Sequence, residues 1–416
     1  MADATVHATI DAPFTLPNGT VLGNRLVKAA LSEQLASLRN VPGERLERLY
    51  RAWSHGGFGL VVTGNVMVDR RALGEPRNVV VEDERDLPAL KRWAAASKAA
   101  GNQTWVQINH PGRQSPRILS PRPVAPSAVG LKISGQFARP RELSGAEIEE
   151  IVERFARTAE IVVGAGFDGV QIHSAHGYLS SQFLSPITNQ RDDEWGGDPE
   201  RRMRFLLEVV RRTRARIGTG VGLGVKLNSA DFQRGGFTEE ESMGVVEALS
   251  SEAVDLLEIS GGTYERAAMM GGANVRESTR QREAYFLEYA EAVRARASMP
   301  LMLTGGLRSR AAMDDALATE AVDLIGVGRP ACLEPDLPAR LISGAATSAV
   351  APRDLRVGVK QIDDLGELTW HTTQLWRLGA GKDVSFDRHP VLGVAEYLAQ
   401  TVVGGISRQA LRPPRY

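Results

Sequence analysis

The sequence predicts a (β/α)8 barrel, a closed ring of parallel strands wrapped in helices, and three observations carry that prediction. Eight short β-like runs alternate with longer amphipathic stretches between residues 25 and 343. The helical stretches carry recognisable start signals, each downstream of a strand run, which is the order of parallel βα units. The chain has 416 residues, a length that admits two or three ordinary domains, yet barrels of this type run from roughly 200 to over 400 residues as one unit. A doubly wound open sheet is the alternative with the same alternation.

The strand runs are Arg25 to Leu31, Leu60 to Asn65, Thr104 to Asn109, Gly169 to His173, Val221 to Asn228, Asp255 to Ser260, Pro300 to Thr304 and Asp323 to Val327. Ser144-Gly-Ala-Glu147 and Thr238-Glu-Glu-Glu241 read as capping boxes, and Pro199 takes a first-turn position after Asp198. Two insertions, about 111–143 and 174–198, each follow a strand and precede its helix, which puts them on the face where barrels carry their chemistry. The cluster Gly218, Gly220, Gly222 and Gly224 precedes a strand and fits no G-x-G-x-x-G register, so it is set aside as a dinucleotide loop. Residues 1–343 form the barrel in this reading. Residues 344–416 form a helical extension, with patterns over Gln361–Gly379 and Val391–Gly405, packed on the barrel or on a neighbouring subunit. Its Trp370, His371, Gln374 and Trp376 are expected to pack into the core rather than form an interface stripe.

Composition narrows the chemistry. Lys plus Arg equals Asp plus Glu at 50 each, so the global charge gives no reason to expect nucleic acid. The only cysteine, Cys332, excludes an internal disulfide, a cysteine-ligated iron–sulfur cluster and a multi-cysteine zinc site within one chain; no metal site is expected. Redox chemistry therefore requires an organic cofactor. The first residues lack the charged and apolar regions of a leader, and no run reaches about 18 uninterrupted apolar residues, so the expectation is a cytoplasmic enzyme with no membrane contact.

The richest stretch is His173-Ser-Ala-His176-Gly-Tyr178, directly after the fourth strand run. Three proton-donating rings at one strand end suggest a polar clamp on a substrate oxygen. The seventh run ends in Thr304-Gly305-Gly306 and the eighth in Gly326-Val-Gly328-Arg329, where backbone N–H groups and a guanidinium together suit a phosphate. A flavin ring needs amide bonds on its pyrimidine edge, a cation near N1 and O2, and a modest donor near O4 and N5. Gln107, Lys226 and Ser32, at the ends of the third, fifth and first runs, supply one of each.

Over about residues 10 to 343 the chain resembles the old yellow enzyme family of FMN-dependent ene-reductases and NAD(P)H:flavin oxidoreductases. The motifs are Gly23-Asn-Arg-Leu-Val-Lys-Ala-Ala-Leu-Ser32, Gln107-Ile-Asn-His-Pro-Gly-Arg113, the His173 to Tyr178 run, and Phe183 to Gly197 with Pro199-Glu-Arg-Arg202. The resemblance implies a non-covalently and tightly bound FMN, with NADH or NADPH as reductant. It implies that His173 and His176 hydrogen-bond a carbonyl or nitro oxygen, and that Tyr178 protonates the substrate's α-carbon while hydride reaches the β-carbon. Gln107 and Lys226 would hold the pyrimidine edge and Ser32 would sit near O4 and N5. Ala30, Leu31 and Gly64 would meet the ring through backbone, and Gly305, Gly306, Gly328 and Arg329 would bind phosphate. The implied partner is a small enone-type substrate, and a homo-oligomer through the C-terminal helices is left open.

The chain departs from the family pattern in three places. Several relatives have Arg at Lys226, which keeps the charge and loses the planar fork. Others have Cys or Thr at Ser32, and the family's proline is Ala30 here, which frees the loop. Rival readings are an NADH oxidase with another acceptor, an amine demethylase, a tRNA-modifying flavin barrel and a non-catalytic flavin-binding scaffold. Residues 111–143, 174–198 and the segment Tyr264 to Arg280 are expected to shape the substrate pocket, and a reach of the Arg-rich tail end to a neighbouring subunit's site is left open.

Overall fold

A computed structural model describes residues 8–131, 135–260, 288–351, 355–358 and 360–410. Its ring consists of β1 (Leu26–Lys28), β2 (Leu60–Val62), β3 (Gln103–Asn109), β4 (Gly169–Ser174), β5 (Gly222–Asn228), β6 (Leu256–Ser260), β7 (Leu301–Thr304) and β8 (Leu324–Val327). Each strand pairs in parallel with its chain neighbour, and β8 pairs with β1, so the sheet closes on itself. Closure excludes the open-sheet alternative. The segment Tyr264 to Arg280 and the tail from residue 411, both assigned roles from the sequence, lie outside the described residues.

The helices whose whole range is described are α1 (Glu44–His55), α2 (Leu87–Ser97), α3 (Gly145–Gly164), α4 (Leu179–Leu184), α5 (Pro199–Ile217), α6 (Glu239–Leu249), α7 (Arg310–Ala318), α8 (Leu337–Ile342), α9 (Lys360–Gly379) and α10 (Pro390–Ala410). Both capping boxes form: the Ser144 and Thr238 hydroxyls accept from the N–H groups of Glu147 and Glu241, whose carboxylates accept in return. Such a cap is worth about 1 kcal/mol and sets the register of the amphipathic face behind it. Asp198 caps α5 with Pro199 at its first position.

Inside the ring, at the end where the strands begin, Val27, Leu60, Val62, Trp105, Leu256, Met302 and Leu324 form one apolar cluster. Leu16 and Leu22 join it from a hairpin, Phe14–Thr15 with Val21–Leu22, which plugs that end. The glycines set aside as a dinucleotide loop acquire a packing role here. A Cβ on Gly222 would overlap the Trp105 ring, and one on Gly224 would stand 3.0 Å from it. Gly218 has φ 75° and ends α5.

The two insertions are tied to each other over the opposite end. Arg191 donates to the Pro126 and Leu143 carbonyls at 2.9 and 2.6 Å. Asn189 Nδ2 donates to the Phe183 and Trp195 carbonyls, both at 2.8 Å, and Arg202 donates to Leu184 O at 2.9 Å and pairs with Glu241. Much of the Phe183–Arg202 motif is therefore scaffold. At the C-terminus α9 lies along α1: Arg45 and Arg48 donate to the Trp376 and Gly379 carbonyls at 3.0 and 2.9 Å. Trp370, Gln374 and Trp376 are buried, as core packing requires, while His371 is half-buried. Among the described residues no helix is long and apolar enough to cross a membrane.

Candidate active site

Side chains alternate along a strand, so Gln107 on β3, Gln171 and His173 on β4, Lys226 on β5 and Glu258 on β6 share the inner face. Register sets Gln171 beside Gln107, His173 beside Lys226, and Lys226 beside Glu258. One layer beyond Trp105 the interior thus turns polar, and it is closed by its own bonds. Gln107 Nε2 donates to Gln171 Oε1 at 2.7 Å, Gln171 Nε2 donates to Glu258 Oε2 at 2.8 Å, and Lys226 Nζ stands 2.8 Å from Glu258 Oε1. The residues Gln171, Glu258 and Ser260 escape the sequence reading. Gln171 and Glu258 lie inside β4 and β6 and Ser260 ends β6, and period-two polarity is the signal they give.

The chain leaves β4 through two successive left-handed residues, His176 at φ 61° and Gly177 at φ 76°. That turn brings three rings together. The His173 ring centroid lies 5.0 Å from that of His176 and 4.8 Å from that of Tyr178, both edge-on. Gln114 of the first insertion donates to His176 O at 2.9 Å, and His176 N–H donates to Asn228 Oδ1 at 3.2 Å, holding the strained residue in place. His173 Nδ1 accepts the Ala175 N–H at 3.2 Å, so in the neutral ring the proton sits on Nε2. His176 Nε2 lies 2.7 Å from Ser260 Oγ. Burial, and then the Lys226 cation, hold both rings well below the ordinary imidazole pKa. At neutral pH they are uncharged hydrogen-bonding groups. Tyr178 is buried beside them, its hydroxyl 3.5 Å from Asn65 Nδ2.

The rim segment Ala30, Leu31 and Ser32 is half-buried where it leaves β1. Gly64 follows β2, and a Cβ there would overlap Leu31 O and the Glu33 carboxylate. Its N–H donates to Glu33 Oε1 at 3.0 Å and to Tyr50 OH at 2.9 Å, so any contact it makes with a ring runs through its Cα or carbonyl. Glu33 also pairs with the buried Lys28, at 3.4 Å, and its carbonyl accepts Trp376 Nε1 at 2.8 Å. The extension thereby reaches the back of the rim.

At the other side, Gly305 and Gly306 have φ 136° and 76°, and Gly328 opens a short 3-10 turn that begins at Arg329. β7 and β8 pair Thr304 with Gly326, which places the two glycine sites side by side. Arg329 is paired with Glu367 of α9, a partner the sequence reading did not foresee. A phosphate would share that guanidinium. The residues fit FMN: a Gln amide and a Lys cation for the pyrimidine edge, a side-chain-free rim at Gly64, and unobstructed backbone at Gly305, whose added Cβ would meet nothing within 4 Å. Cys332 is buried, and desolvation pushes its thiol up to about 12. Among the described residues no group of three His, Cys, Asp or Glu side chains is placed to hold a metal ion.

Comparisons with known proteins bear on the family and the fold. Residues 10–348 match the model of the NADH:flavin oxidoreductase / NADH oxidase family. An NADH-dependent flavin oxidoreductase from Hypocrea jecorina is 38% identical over 365 residues, covering 80% of this chain and 88% of the relative. Among solved structures, an old yellow enzyme homologue from Zymomonas mobilis aligns with TM-score 0.69 and 26% identity, over 82% of this chain and 95% of that one. A 2-naphthoyl-CoA reductase aligns with TM-score 0.76 and 27% identity, over 81% of this chain and 52% of that one, so the chain spans about half of that larger enzyme.

Proposed function

The chain belongs to the NADH:flavin oxidoreductase / NADH oxidase family, as an old yellow enzyme relative, and on that premise we propose that it is an NADH-dependent ene-reductase. Its second substrate in this reading is an α,β-unsaturated carbonyl or nitro compound. The observation that carries the reading is the cluster of His173, His176 and Tyr178, buried together where the chain leaves β4, the strand paired with β5 and its Lys226. A bound FMN would supply the hydride chemistry between NADH and the substrate's β-carbon. Gln107 and Lys226 would hold the pyrimidine edge of that group, the Ser32 rim would border it, and Gly305, Gly306, Gly328 and Arg329 would hold its phosphate.

The chain's own contribution to the reaction is charge and proton management. His173 Nε2–H, with its proton fixed by the Ala175 bond, donates to the substrate oxygen, and His176 offers a second donor. Negative charge grows on that oxygen as hydride arrives, so preorganised donors bind the transition state more strongly than the substrate, worth on the order of 10²–10³ in rate. Tyr178 O–H delivers a proton to the α-carbon. The buried rings exclude water, which keeps these donors strong.

The deciding experiment is anaerobic mixing of the purified, FMN-loaded protein with NADH, followed by 2-cyclohexenone. The expected record is bleaching near 450 nm on the first addition (roughly the band of any oxidised flavin) and enone-dependent recolouring on the second. Bleaching without recolouring removes the enone assignment and leaves another acceptor. A protein that stays colourless after reconstitution with FMN overturns the cofactor assignment as well.

A further inference from the structure

The polar layer in the barrel holds a carboxylate that the chemistry above leaves unused. Glu258 is fully buried on β6, where a lone ion pair is a weak source of stability. Its two oxygens divide their partners: Oε2 accepts from Gln171, and Oε1 faces the Lys226 ammonium. An ionised carboxylate has no proton to give, so the Gln171 amide must turn its NH2 towards Glu258 and its carbonyl away. That carbonyl accepts the Gln107 NH2. The Gln107 carbonyl oxygen is then the end outside the relay. It is an acceptor, which matches the imide N–H on the pyrimidine edge of a flavin; the reversed amide would set N–H against N–H.

We infer that Glu258 is the positioning residue of the cofactor site, orienting Gln107 through Gln171 and offsetting the field of Lys226 at the same edge. The inference rests on the FMN reading above. A relay terminated by an acceptor-only group has one direction, whereas an amide in its place can turn either way. The paired Lys226 presents a dipole to the ring instead of an unbalanced cation, so the reduced, anionic ring is stabilised less than a solitary lysine would stabilise it. A purely structural role, as counter-ion for a buried lysine, makes different predictions for the two variants below.

The test compares FMN-loaded native protein with Glu258→Gln and Gln171→Met, reading FMN affinity by flavin fluorescence and the two-electron midpoint potential against a reference dye. In Glu258→Gln the ratio of reduced to oxidised FMN affinity is expected to rise about tenfold, a shift of about 30 mV to more positive potential. In Gln171→Met, which leaves the ion pair intact and frees Gln107, FMN affinity is expected to fall about tenfold in both oxidation states, leaving the potential unchanged. A native potential in Glu258→Gln, or native FMN affinity in Gln171→Met, overturns the inference. Should Glu258→Gln fail to fold, Gln171→Met alone decides the relay. If native protein takes up no FMN, the functional reading falls and this inference with it; if native protein binds FMN and both variants match it, this inference alone falls.

Discussion

Trp105 and Gln107 stand two residues apart on β3 and point to the same side, yet they belong to different kinds of interior. Around Trp105 the ring is apolar and close-packed, with Gly222 and Gly224 leaving room for the indole and a hairpin sealing the end. Around Gln107 it is polar, and its groups answer one another across neighbouring strands: amide to amide, amide to carboxylate, carboxylate to ammonium. The first layer keeps the barrel closed by exclusion of water. The second accepts the desolvation of ions because its partners are supplied by neighbouring strands in register. One set of eight strands thus holds an apolar and a polar interior one inward-facing layer apart.

If that division is sound, damage to each layer should have different symptoms. Tyr178→Phe, beyond the polar layer, is expected to slow the enone-dependent half-reaction by about 10²–10⁴ while flavin reduction by NADH and the melting temperature stay near native. Equal loss in both half-reactions, read by stopped-flow, breaks the proton-donor assignment. Gly222→Val, in the apolar layer, forces branched carbons into the Trp105 ring and is expected to cost about 3 kcal/mol in chemical denaturation. A cost below about 0.5 kcal/mol means the lower layer is loosely packed and the contrast is overstated.

A pH titration sharpens the comparison further. His110 is lowered to about 4 by burial, and burial holds His173 and His176 well below their ordinary value. Each takes up its proton more readily unfolded, near pH 6.5, than folded. Their contribution to stability is therefore complete above about pH 6.5 and is lost as pH falls towards the folded values, about 4 for His110. Thermal unfolding between pH 7 and pH 4 should show this decline, and His173→Asn should flatten it. The smallest expected effect is at the rim: Trp376→Phe removes the bond to Glu33 O and costs about 1 kcal/mol, with FMN affinity as the second readout of the extension's reach to the mouth.

Several site features were legible from type and position. His173, His176 and Tyr178 announce themselves because three polar rings leave one strand end, and the paired glycine sites because β7 and β8 are neighbours in any barrel of this order. The structure brings the three rings together and sets the two glycine sites side by side. Gln171 and Glu258 stayed hidden, because a polar residue inside a strand gives no sign of which neighbour answers it. Glu367 stayed hidden for another reason: it approaches Arg329 from a helix 38 residues further along the chain. The Gly218–Gly224 cluster was read for what it was not, and only the Trp105 ring shows why Gly222 is there.

The sequence by itself determined the number and order of the βα units, the helix starts at Ser144, Asp198 and Thr238, and the strand ends that carry the polar rings and the paired glycines. These follow from local rules, side-chain period, capping and backbone preference, which act within a few residues. Tertiary structure alone decided the register that sets Gln107 against Gln171 and Lys226 against Glu258, the turn at His176, and the seating of α9 on the rim. Those depend on contacts between residues tens to hundreds of positions apart, and no local preference encodes which distant group will be waiting when the ring closes.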